Sequence, residues 1–170
     1  MIDRTVFLIG MPGSGKSSLG KRLAGRLQMR YVDTDQRICD AAGCSVTDIF
    51  ARYGEQAFRN AETNVLTQIA YEPPAIVSTG GGMVMREVNQ RIMRNHGVIV
   101  LIDRPLEDIM SDIKLDRRPL LAQKGLGEVE RLYHERIGVY RALADATLDN
   151  SQGYYNGMYN LERLVRSLFP

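Results

Sequence analysis

Apolar residues along this chain fall into short dense runs, separated by longer stretches in which they recur every three or four positions. Four runs, TVFLIG from Thr5, RYVDTD from Arg30, AIVSTG from Ala75 and GVIVLID from Gly97, read as buried strands. A weaker fifth run, ATLD from Ala146, follows the same pattern. Between them Leu19, Leu23 and Leu27, then Val65, Leu66 and Ile69, then Val88, Ile92 and Met93 mark one face of successive helices. Leu161, Leu164, Val165 and Leu168 mark a last one. Strands alternating with helices predict an α/β fold, a five-stranded parallel sheet covered by helices on both faces.

One segment escapes the pattern. Lys114 to Gly127, KLDRRPLLAQKGLG, is basic, carries two glycines and a proline, and has no amphipathic period. It predicts a surface loop, and in an open parallel sheet such a loop is placed to fold over a ligand at the C-terminal strand ends.

At 170 residues the chain is the size of a single domain, and 44% hydrophobic with 25% charged residues is ordinary globular composition. A formal net charge of +2 gives no case for a nucleic-acid or membrane partner. The first apolar run is far too short to span a bilayer and has Asp3 before it, so the expected location is the cytoplasm. The two cysteines, Cys39 and Cys44, match no metal or redox spacing and are expected to be reduced thiols in a helical stretch.

The chemistry begins with GMPGSGKSS, Gly10 to Ser18, which satisfies G-x-x-x-x-G-K-[ST] between a strand and a helix. Backbone N–H groups of Gly13, Ser14, Gly15 and Ser18, with the helix N-terminus, would cradle a nucleotide's phosphates. Lys16 would reach the β and γ phosphates, and the Ser17 hydroxyl would ligate Mg²⁺. The cradle alone leaves a small-molecule kinase, a nucleotide kinase, a regulatory GTPase and a motor fragment open. A GTPase would want N-K-x-D to read its base, and the chain has none.

Three further motifs speak for the acceptor. Asp33 and Asp35, two apart in an extended segment, would point into one cleft, although DTD would also cap a helix well. In FARYGEQAFRNAE, Phe50 to Glu62, Arg59 and Glu62 are helix neighbours beside two of the chain's four phenylalanines, a setting that suits an arginine held for a carboxylate. In STGGGM, Ser78 to Met83, three glycines directly after a strand would let a ligand approach the backbone.

In order and spacing, GMPGSGKS, DTD, F-x-x-x-G-E-x-x-F-R-x-x-E, STGGG and RRPLL resemble the shikimate kinases over essentially the whole chain. That resemblance implies a three-layer P-loop NTPase fold with a mobile lid loop at about 112–126 and substrate-binding helices at about 34–62. It implies phosphorylation of the 3-hydroxyl of shikimate by ATP and Mg²⁺, in the route to aromatic amino acids. Asp35 would hold the shikimate hydroxyls as candidate base, and Asp33 would meet Mg²⁺ through its waters. Arg59 and Arg136 would clamp the carboxylate beside Gly80, Gly81 and Gly82, and Arg118 of the lid would meet the transferring phosphoryl group. A monomer is the expected state. A gluconate kinase of the same fold would share the cradle without needing the carboxylate clamp, and a non-catalytic nucleotide-binding module would not need the acceptor side.

Two departures from the family pattern stand out. Many relatives pack an arginine seven residues before the RPLL arginine onto adenine, where this chain has Ser111 with Lys114 a turn later, and no arginine occurs at 150–153. The usual R-x-P-L-Y reads Arg136-Ile137-Gly138-Val139-Tyr140, and glycine there is expected to loosen the helix without removing the arginine.

Overall fold

The computed structural model describes residues 2–112 and 125–169. Their strands are β1 (Thr5–Ile9), β2 (Arg30–Asp33), β3 (Ala75–Ser78), β4 (Gly97–Asp103) and β5 (Ala146–Asp149), all parallel in the order β2-β3-β1-β4-β5. β1 is central, and Val6, Phe7, Leu8 and Ile9 are fully buried because both faces of the sheet are covered. The pleat sends Phe7 and Ile9 to one core and Val6 and Leu8 to the other.

The Phe7 side is closed by α3 (Val46–Ala70), α4 (Glu87–His96) and α6 (Leu126–Leu143), through Leu66, Met93 and Tyr140. The opposite side is closed by α1 (Lys16–Leu27) and α7 (Tyr154–Ser167), through Leu19, Leu23, Leu161 and Val165. Two shorter helices, α2 (Thr34–Ala42) and α5 (Leu106–Asp112), follow β2 and β4 at the C-terminal edge. Burial of one large aliphatic side chain contributes about 1.5–3 kcal/mol, so these stripes fix which face each helix presents.

Four details depart from the sequence expectations. Val88 is exposed, because only Met93 and its neighbours on α4 meet the core. Cys44 lies in the turn between α2 and α3 rather than in a helix, and both thiols are free. Leu126 and Gly127 open α6 and Asp112 closes α5, whereas Arg118 and the centre of the expected lid lie outside the described residues. Finally, α3 breaks at Gly54, whose φ of 81° suits only a residue without a side chain. In a straight helix Phe50 and Phe58 would be about 12 Å apart along the axis. The break brings their ring centroids to 4.9 Å.

Candidate active site

The turn between β1 and α1 carries the phosphate loop. Gly15 caps α1 in the left-handed region at φ 102°, which aims the first N–H groups of the helix into the loop's concavity. Lys16 is buried, and its ammonium donates to the carbonyls of Gly10 and Met11, both at 2.8 Å. Two side chains from neighbouring strand ends grip the loop from outside. Asn150 Nδ2 donates to the Ser14 carbonyl at 2.9 Å and Arg104 Nη1 to that of Gly13 at 3.0 Å. The hydroxyl of Ser18 donates to Gly15 O at 3.1 Å, on the loop's own rim.

Ser17 Oγ donates to Asp33 Oδ2 at 2.8 Å, so the first turn of α1 and the end of β2 meet. Asp33 also caps α2, its Oδ1 accepting from the backbone N–H groups of Asp35 and Gln36. Capping and the meeting with Ser17 are therefore simultaneous. They also correct the reading of an extended pair: Asp33 has extended backbone, but Asp35 already stands in the first turn of α2. A groove of about 640 Å³ runs along this side, lined among others by Ser17, Asp33, Asp35 and Gln36.

On α3 the expected neighbours pair: Arg59 Nη1 donates to Glu62 Oε2 at 2.8 Å. Glu62 is fully buried, and burial raises its pKa against the opposing pull of Arg59. A carboxylate kept in the interior this way holds the guanidinium to one position. Arg59 lies 5.7 Å over the Phe58 ring, and Phe58 itself is core.

The three glycines make room for these groups. A Cβ on Gly80 would stand 2.7 Å from Asp35 Oδ1 and 2.9 Å from Glu62 Oε1. One on Gly81 would stand 3.3 Å from Arg136 Nη1, and one on Gly82 2.6 Å from Arg59 Nη1. The N–H of Gly80 is already taken by Thr34 Oγ1 at 2.9 Å, so the run serves close approach of side chains at least as much as donation to a ligand. Asp35, Arg59, Glu62 and Arg136 thus converge on a single turn.

Arg136 is buried on α6, which runs unbroken through Gly138. Gly138 lies within that helix and faces open space. One turn later Tyr140, wholly buried, donates to Gly81 O at 2.5 Å and ties α6 to the glycine turn. Burial pushes its phenol up to about 12, so the hydroxyl remains a donor. Arg136 Nε and Glu62 Oε1 are buried with no hydrogen-bond partner among the described residues.

Comparison with known proteins decides the family. The shikimate kinase family model matches residues 12–160. The shikimate kinase of Clostridium beijerinckii is 34% identical over 165 residues, 97% of this chain and 96% of that one, and that of Microcystis aeruginosa is 43% identical over 138 residues, 80% and 72%. The chain belongs to the shikimate kinase family. Among solved structures, the shikimate kinase from Acinetobacter baumannii in complex with shikimate superposes with a TM-score of 0.89 at 27% identity, covering 98% of this chain and 96% of that one. The enzyme from Aquifex aeolicus gives 0.83 at 30% identity, covering 96% and 97%.

Glu62 is expected from the sequence as the neighbour that holds Arg59 but not as a fully buried group, and the sequence reading missed Tyr140 as the tie to Gly81 and the outside grips Arg104 and Asn150. Glu62 and Tyr140 belong to motifs already quoted. Arg104 and Asn150 carry no local signal, since their partners lie 91 and 136 residues away. Ser111, at the place of the family's adenine arginine, spends its hydroxyl on Asp108 O at 3.0 Å within α5.

Proposed function

We propose that this protein transfers the γ-phosphoryl group of ATP to the 3-hydroxyl of shikimate, yielding shikimate 3-phosphate and ADP in the route to aromatic amino acids. One observation carries the reading: a phosphate loop and a cluster of two carboxylates with the half-buried Arg59 and the buried Arg136 open onto the same edge of the sheet, separated only by the width of β1 and β3. A donor half and an acceptor half lie side by side.

Phosphoryl transfer asks the protein for position and charge more than for covalent chemistry. Backbone N–H groups from Gly13 to Ser18 and the Lys16 ammonium receive the phosphate chain. Arg59, braced by Glu62 and Gly82, and Arg136, with its buried Nε still to be satisfied, bind the acceptor's carboxylate from two sides. Asp35, beside Gly80, receives the hydroxyl that attacks, holding its proton as base. Arg118, from the segment outside the described residues, adds charge at the transferring group.

The Ser17 and Asp33 oxygens fit Mg²⁺. The pair offers two hard oxygen ligands, and among the described residues no cluster of three or more His, Cys, Asp or Glu could form an all-protein cage. Mg²⁺ bound by one or two protein oxygens and completed by waters and phosphate is its usual mode. Ser17 would ligate the ion and Asp33 would hold one of its waters; the ion supplies neutralisation of phosphate charge.

The test is ADP release with a panel of shikimate, gluconate and nucleoside monophosphates. Turnover with shikimate alone is expected. Preference for gluconate or a nucleotide would reassign the acceptor, and no turnover with any of them would leave a binding module.

A further inference from the structure

The sheet order places β4 and β5 on the side of β1 opposite to β2 and β3. Asp33, Asp35, Arg59 and the glycine turn occupy the β2–β3 half, so the nucleoside of a nucleotide seated in the loop must leave over the β4–β5 half. Among the described residues, Arg104, directly after β4, is a charged group bonded to the loop from that side. It donates from Nη1 to Gly13 O at 3.0 Å and pairs through Nη2 with Asp112 at the end of α5.

Both contacts lie in the plane of the guanidinium. They fix its tilt and spend only two of its five N–H donors. Neither covers its faces, and the side chain keeps 22% of its surface exposed. A flat cation held by its edge next to a phosphate cradle is a platform for an aromatic ring, in a way that a lysine ammonium would not be. An arginine present only to shape the loop would have needed the Gly13 bond alone.

We propose that Arg104 offers the face of its guanidinium to the nucleobase of the donor nucleotide and sets the affinity for the nucleoside part. This rests on the ATP reading above. The test measures, by calorimetry with Mg²⁺ present, binding of ADP and of inorganic tripolyphosphate to the wild type, Arg104→Ala and Arg104→Lys. Tripolyphosphate fills the cradle and has no base. Removing the bond to Gly13 loosens the cradle for both ligands alike, whereas loss of one cation–aromatic contact should weaken ADP about tenfold more than tripolyphosphate in both variants. Equal weakening of both ligands would show that Arg104 only shapes the loop, and full recovery of ADP binding in Arg104→Lys would remove the role of the flat face; either overturns the proposal. Unchanged ADP binding in Arg104→Ala overturns it as well. A wild type that binds tripolyphosphate but not ADP would instead strike the ATP reading itself. Arg104→Lys retains a cation for Asp112, so the test survives if the alanine variant folds poorly.

Discussion

Gly82 and Arg59 share one small space: a methyl group on the glycine would lie 2.6 Å from Nη1 and 2.8 Å from Nη2 of the arginine. The obstacle is the far end of a flexible side chain and not backbone, so Gly82→Ala should fold and displace the guanidinium. Its expected signature is a weaker carboxylate clamp. KM for shikimate should rise by the equivalent of about 1.5–3 kcal/mol, with ADP affinity within twofold. An unchanged KM would mean that Arg59 does not bind the acceptor where it now lies.

Removing the arginine itself should do more than displacing it. Arg59→Ala is expected to lose the same substrate affinity and also up to about 3 kcal/mol of stability, because Glu62 remains buried without its ion-pair partner. Adding Glu62→Gln to that variant should recover much of the stability and none of the affinity. Urea denaturation with shikimate titration separates the two. Recovery of shikimate binding in the double variant would contradict the assignment of Arg59 as the ligand.

Asp33→Asn keeps a residue able to cap α2 but removes the charge that faces Ser17. The Mg²⁺ concentration for half-maximal activity should rise about tenfold or more, as for loss of other groups that orient metal ligands. Thermal stability and KM for shikimate should hardly move. If Mg²⁺ dependence is unaltered, the ion is held elsewhere.

Acid stability should depend on a residue far from the chemistry. Glu72, just after α3, is shared by Arg30 of β2 and Arg37 of α2, whose hydrogen bonds hold its carboxyl at about 2 against an ordinary 4.5. The folded pKa lies below the unfolded one, so this stabilisation is complete above about pH 4.5 and is lost as pH falls through about 2. Denaturation of the wild type and Glu72→Gln across that range should show a stability difference that shrinks toward low pH. A constant difference would mean that the pair does not lower this carboxyl.

The sheet was legible because the inner strands β1, β3 and β4 are compact buried apolar runs, and although the edge strands β2 and β5 are only partly buried, all five begin where the pattern puts them. The donor half was legible because a phosphate cradle is a local feature. The residues proposed for the acceptor do come together in the fold, but their geometry departs from the reading by spacing. DTD looks extended on spacing alone, and only the capping bonds from Asp33 show that Asp35 has entered the helix. GGG suggested room for a ligand at the backbone, whereas the side chains of Asp35, Glu62, Arg136 and Arg59 crowd three bare Cα atoms. Burial of Glu62 and the reach of Tyr140 to Gly81 depend on how α3 and α6 meet over the sheet, which no window of sequence contains.

Direct transfer of one phosphoryl group between two halves of one cleft is observed by ³¹P NMR of ATP, Mg²⁺ and shikimate with the protein. A phosphate monoester coupled to the proton on C3 of shikimate should grow in step with ADP. Accumulation of ADP with inorganic phosphate alone, or no consumption of ATP, would contradict it.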